Sequence, residues 1–152
     1  MHNNKKQKLV KGAVTTGITN GIINGGIQYF FLKGMAPIAI SVDSITNTEH
    51  TVLGTAVVLA VTLAMILTVV SYFGIKEEKV PFFPSAFGLV LKHGFFTFGV
   101  VTALAVLWQR YLGTIEVSLL SALIIIGVIA GIIAGFVEYL TIKACIRRSD
   151  EA

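Results

Sequence analysis

The chain has 152 residues, of which 55% are hydrophobic and only 13% are charged, a balance that argues against a soluble domain of this length. Folded in water, it would expose more apolar surface than soluble monomers tolerate. The net charge of +4 does not indicate nucleic-acid binding, because the basic residues lie mainly at the chain ends and in one short loop, with no basic patch interleaved with exposed aromatics.

The first predicted element covers residues 12–32, which carry no charge and are long enough to cross a hydrocarbon core of about 30 Å. The basic residues before it resemble the start of a signal peptide, but the Thr and Asn residues within it make a poor apolar region for one. We therefore interpret the segment as a retained first span. Because it is more polar than the other segments, we expect it to need protein neighbours in the membrane.

The second and third predicted spans cover residues 51–73 and 85–112. The second consists almost entirely of Val, Leu, Ala, Thr and Ile, as a lipid-facing helix requires. The third begins after two prolines, which are tolerated at a helix start, but its charge-free part begins only at Gly94. Either Lys92 and His93 lie inside the membrane, or residues 85–92 form a shallow interfacial segment.

A fourth apolar segment covers residues 117–140 and contains one charge, Glu138. Together the four segments predict an all-α fold, a four-helix transmembrane bundle in a single membrane domain over residues 1–152. The connections would be an outer loop at 33–50 and a cytoplasmic loop at 74–84.

Orientation is predicted from the Lys and Arg residues, because basic loops are retained in the cytoplasm. Ten lie on one side of the predicted topology and two on the other. The first group is Lys5, Lys6, Lys8, Lys11, Lys76, Lys79, Lys92, Lys143, Arg147 and Arg148; the second is Lys33 and Arg110. We therefore expect both termini in the cytoplasm and a bacterial cytoplasmic membrane as the location.

The two halves of the sequence share short similarities at their span ends. Residues 71–76 close the second span and residues 138–143 the fourth, while 31–34 and 110–113 close the first and third. These pairs suggest two duplicated helical hairpins in a parallel repeat. Chance similarity between apolar segments is the alternative.

Polar residues recur every four positions in the first span and form one stripe on a helix: Thr16, Asn20, Asn24 and Gln28. An unpaired amide costs several kcal/mol in an apolar medium, so the stripe should face another helix, a hydrated cavity or a second copy. It would either line a transport pathway or supply hydrogen bonds between helices.

Glycines recur at the same spacing in the first and fourth spans, in two rows: Gly17, Gly21 and Gly25, and Gly127, Gly131 and Gly135. Small residues at this spacing let helix backbones approach closely. The spacing predicts tight packing, and it leaves open whether the two rows meet each other or their counterparts in another chain.

We hypothesise a cytoplasmic-side site that binds an ion or a proton, because Glu138, His93 and Asn20 lie at similar depths in their spans. The residues assigned to this site and to the pathway are Thr16, Asn20, Asn24, Gln28, Lys92, His93 and Glu138. Alternatively, Glu138 and Lys92 reach the headgroups as interfacial anchors and no cluster forms.

Catalytic motifs are absent from the sequence, and the acidic and His residues of the outer loop, Asp43, Glu49 and His50, match no standard metal spacing. The single cysteine, Cys145, is expected to be a free thiol. We therefore expect neither an enzyme, nor a metal, nor a cofactor.

These features predict a small multipass permease or channel-like protein for an ion or small solute, acting as a homo-oligomer in the lipid bilayer. The alternative is a noncatalytic membrane subunit or assembly factor that binds partner helices. Under the first hypothesis Glu138→Gln alters flux; under the second Gly131→Leu breaks a complex while Glu138 is dispensable.

Overall fold

The computed structural model describes residues 2–35, 37–42 and 50–146. Its helices in that part of the chain are α1 (His2–Leu32), α2 (Val52–Gly74), α3 (Phe87–Leu112) and α4 (Leu119–Cys145). α2, α4 and the helical segment that contains α3 are long and apolar enough to cross a membrane, whereas α1 does not reach that apolarity. The chain is therefore an all-α, multi-pass integral membrane protein.

Two helices extend beyond the spans predicted for them. α1 begins at His2, before the predicted start at residue 12, and α4 continues to Cys145, beyond residue 140. The predicted limits followed the charge-free stretch, which marks the apolar part of a helix. Lys is a good helix former, so the helix continues through the basic residues. α3 follows a short π-helical turn at Phe82–Ala86.

The helices of the two halves begin and end in similar ways. Thr51 caps α2 by accepting a hydrogen bond from the backbone N–H of Gly54, and Ser118 caps α4 in the same manner. α1 and α3 are followed by Gly34 and Gly113, whose φ angles of 88° and 71° favour glycine. The similarities at the span ends thus have structural counterparts.

Short backbone pairings join the two halves at both ends of the molecule. β1 (Ile38–Ile40) and β2 (Ile115–Val117) form an antiparallel ribbon, which the all-α prediction did not include. At the other end, Lys79 and Ile146 form an isolated antiparallel bridge. Residues 43–49 of the predicted outer loop lie outside the described part of the chain.

The helices pack in the order α1, α4, α2, α3, with α2 and α4 at the centre. Helices consecutive in each half, α1 with α2 and α3 with α4, make little contact. If α1 is exchanged with α3 and α2 with α4, the α1–α4 contact becomes the α3–α2 contact. The packing therefore has an approximate internal two-fold relation. Each proposed hairpin therefore packs on the other half rather than on itself.

α2 and α4 run in the same direction. Successive buried clusters join Val52 to Ile126, Leu67 to Val137, and Tyr72 to Cys145. The β ribbon consequently lies at one end of the bundle. The starts of α1 and α3 lie at the other end, together with the ends of α2 and α4.

Candidate functional site

The predicted site residues lie at two separate helix contacts. We call the contact of α1 with α4 the glycine seam and the contact of α2 with α3 the histidine seam. The two seams correspond under the internal two-fold relation, but they are built from different chemistry.

The glycine seam brings the two predicted glycine rows together, antiparallel and within one chain. A Cβ atom on Gly17 would lie 2.8 Å from the backbone oxygen of Gly131, and one on Gly131 would lie 2.8 Å from that of Gly17. The same reciprocal contact joins Gly21 and Gly127 at 2.9 Å. The backbones therefore touch at distances that no side chain allows, which answers the question that the spacing left open.

The remaining glycines of the two rows, Gly25 and Gly135, approach backbone oxygens of residues other than glycine, and these contacts are not reciprocal. Gly135 lies against the backbone oxygen of Ala13, at 2.8 Å from its would-be Cβ, whereas Gly25 is looser, at 3.4 Å from the oxygen of Leu123. The tight contact thus covers the N-terminal half and the middle of α1 and relaxes towards the ribbon end.

Two amides of the stripe on α1 donate hydrogen bonds within the same helix. The Nδ2 group of Asn24 donates to the backbone oxygen of Asn20 at 2.9 Å, and that of Asn20 donates to Thr16 at 3.0 Å. Asn24 is only 9% exposed, while Thr16, Asn20 and Gln28 are half-buried. These hydrogen bonds lower the free-energy cost of placing amides in an apolar environment, and they require no polar group on another helix.

Glu138 lies at the end of the glycine seam that is nearer to the N-terminus of α1. Its Oε1 atom is 3.7 Å from the position that a Cβ on Gly12 would take. Its Oε2 atom is buried and has no hydrogen-bond partner among the described residues. A buried carboxylate oxygen without a partner loses its hydration without compensation.

Thr141, one helical turn after Glu138, has the same deficiency. It is fully buried, and its Oγ1 atom has no hydrogen-bond partner in the described part of the chain. The Glu138 oxygen can accept a bond from a cation, from water or from a partner's donor, whereas Thr141 lies in the row of α4 with Val137 and Cys145, which cluster with residues of α2. The sequence prediction missed Thr141, although its spacing of three from Glu138 places both near one helix face.

His93 lies in the histidine seam, where it is 5% exposed. Its Nδ1 atom is 2.9 Å from the Oγ1 atom of Thr68, whose hydroxyl lies 2.7 Å from the backbone oxygen of Ala64. Because the single hydroxyl proton of Thr68 is donated to Ala64, the Nδ1–H group of His93 donates to Thr68. The imidazole thereby ties α3 to α2.

The hypothesis of a single cluster containing both His93 and Glu138 is wrong. Glu138 and the amide stripe lie on α4 and α1, whereas His93 contacts α2, and Lys92 is exposed on α3. The prediction placed His93 and Glu138 in one cluster only because they lie at similar depths along their spans. Depth does not reveal which helices are neighbours, and α3 makes little contact with α4.

Beside the glycine seam, α1 and α4 enclose an open apolar groove of about 1020 Å³, which we call the α1–α4 groove. Its floor consists of the two glycine rows, and Ile18, Ile22, Ile132 and Phe136 are among the residues of its walls. None of the amide-stripe residues lines it. The sequence prediction missed this groove; its signal was the isoleucines interleaved with glycines on both helices.

The described residues contain no group of three or more His, Cys, Asp or Glu side chains that could hold a metal ion. Asp43 and Glu49 fall outside the described part of the chain.

No family model, curated protein or solved structure matches this chain. Function must therefore be inferred from the two seams and the groove.

Proposed function

We propose that the chain is a small multipass permease or channel-like protein that moves an ion or small solute as a homo-oligomer. The observation that supports this most is the buried carboxylate oxygen without a partner on Glu138, which lies against α1, the helix that carries the amide stripe. Such groups are costly in a membrane and typically mark an ion or proton site.

The same proposal includes four membrane spans. In α1 and in α3, two charged residues are separated along the helix by a distance that matches the thickness of a membrane. Lys11 and Lys33 flank the charge-free part of α1 and are 22 residue steps apart, which corresponds to about 33 Å. Lys92 and Arg110, both exposed on α3, are about 27 Å apart. Both lengths fit a hydrocarbon core of about 30 Å. The backbone contacts of the glycine seam would hold the less apolar α1 in place.

In this arrangement Glu138 lies at the cytoplasmic mouth, because it faces Gly12, the neighbour of Lys11. The amide stripe then leads from Thr16 towards the outer side. Among the described residues, α4 is the one helix with which α1 makes an extensive contact. Another copy of the chain would cover the amide-stripe side of α1 and complete the pathway, with both termini in the cytoplasm.

Flux measurements in proteoliposomes test this proposal with monovalent cations, protons and halides across a range of pH. We expect flux above empty liposomes, and Glu138→Gln should abolish it or change its pH dependence. Glu116→Gln is the matched control, because Glu116 is an exposed carboxylate in β2 at the other end of the bundle. Equal flux for both variants would contradict the assignment of Glu138.

The second candidate is the noncatalytic subunit or assembly factor, which the unpaired oxygen of Glu138 favours if a donor on a partner helix bonds it. Large apolar side chains exposed on α3, such as Phe95 and Leu104, would suit such a partner. Absence of flux for every ion tested, together with a membrane protein that co-purifies with the chain and is lost in Leu104→Ala, a change on the exposed surface of α3, would favour this function.

A further inference from the structure

The α1–α4 groove has the length of a bilayer's hydrocarbon core. It extends along α1 from Val10 to Tyr29, and these 19 residue steps correspond to about 29 Å. Its lining is almost entirely apolar, and the glycine floor brings it close to the two backbones. A site of this shape and composition suits extended hydrocarbon chains.

The two ends of the groove carry the polar groups. Tyr139 lines the cytoplasmic end, and the Nζ atom of Lys143 lies 5.8 Å from the centre of its ring. Tyr29 lines the opposite end, and the exposed Lys33 follows it by one helical turn. Tyr residues favour the membrane interface, and Lys ammonium groups attract anionic headgroups.

We propose that the α1–α4 groove binds the acyl chains of anionic phospholipids, one from each leaflet, with Lys143 and Lys33 beside their phosphates. This role is independent of the proposed transport. The groove is lined almost only by apolar groups, so it offers acyl chains contact along their length. The apolar walls also offer a partner helix no hydrogen bond.

Gly26 provides a way to fill the groove without disturbing the glycine seam. It lines the groove, and a Cβ on it would meet nothing within 4 Å. Gly99 on α3 has equally open surroundings and lies outside the groove. Gly26→Leu and Gly99→Leu are therefore matched substitutions, both on exposed helix surfaces, and both should leave the unfolding midpoint unchanged or raise it.

Native mass spectrometry tests the proposal after reconstitution with equal amounts of phosphatidylglycerol and phosphatidylcholine and extraction in a mild detergent. The unaltered chain and Gly99→Leu should retain one or two phosphatidylglycerol molecules. Gly26→Leu should bind the lipid at the Tyr29 end about tenfold more weakly, because its side chain displaces several methylene groups there, and should keep the lipid at the Tyr139 end. Lys143→Gln should reduce the preference for phosphatidylglycerol over phosphatidylcholine.

Three outcomes would overturn the proposal. Equal lipid retention in both leucine variants would mean general coating by lipid. No retained lipid in the unaltered chain would mean that the groove holds none. Lipid-free dimers that Gly26→Leu alone dissociates would mean that a second copy of the chain fills the groove.

Discussion

The glycine seam makes a quantitative prediction for Gly131→Ala. The new Cβ would lie 2.8 Å from the backbone oxygen of Gly17, so that distance must lengthen by about 0.6 Å to reach the ordinary contact distance of 3.4 Å. Because the opposing atom belongs to a backbone, no side-chain rotation relieves the overlap and the helices must separate. Overpacking of this kind costs about 1–3 kcal/mol. Replacing Gly by Ala in a helix gains up to about 1 kcal/mol, which offsets part of the cost.

Gly26→Ala isolates the helix-propensity gain, because its Cβ meets nothing within 4 Å. In SDS-induced unfolding from mixed micelles, followed by circular dichroism, we expect Gly131→Ala to be less stable than Gly26→Ala by about 2 kcal/mol. Adding Gly17→Ala to Gly131→Ala should cost less than the sum of the two changes, since the helices have already separated. Equal stability of Gly131→Ala and Gly26→Ala would refute the backbone contact as the source of tight packing.

Three further changes test individual polar contacts by the same unfolding assay. Thr68→Val leaves the Nδ1–H group of His93 without its acceptor and should destabilise the fold by about 1–3 kcal/mol; a cost no larger than that of Thr62→Val, on the exposed side of α2, would contradict this. Thr141→Val removes a buried hydroxyl without a partner and should leave stability equal or raise it by about 1 kcal/mol; a clear loss would reveal a bonding partner. Thr51→Ala removes the hydroxyl that caps α2 and also donates to the backbone oxygen of Ser41 at 2.7 Å. This change should lower the free energy of unfolding by about 1 kcal/mol. An unchanged unfolding midpoint would show that water replaces the cap.

The sequence was sufficient to predict where the apolar spans lie, because charge-free runs of membrane length are a one-dimensional signal. The segment over residues 51–73 differs from α2 by one residue at each end. No comparable pattern along the sequence predicts which helices pack against each other. The contacts of α1 with α4 and of α2 with α3 join distant parts of the chain, and similar apolar surfaces on all four helices could support other pairings.

The candidate site was predictable only where one helix carries the whole pattern. The two glycine rows are internal to α1 and α4, so their packing role could be predicted, although not that they face each other. His93 and Glu138 required knowledge of two interfaces at once, and that prediction failed. Thr141 was overlooked because Thr is common in apolar helices, and its missing partner becomes evident only when the neighbouring helices are in place.

The internal two-fold relation clarifies why the seams differ. The segment that contains α3 is long and apolar enough to cross a membrane, and its contact with α2 includes the hydrogen bond from His93 to Thr68 and the close approach of Gly94 to Met65. α1 carries amides and lies at the edge of the bundle, so it needs a closer contact. Backbone contacts through Gly17 and Gly131 supply van der Waals and Cα–H···O interactions that do not depend on apolarity. The glycine seam thus holds α1, a polar helix, beside the carboxylate of Glu138. The α2–α3 pair provides no such arrangement.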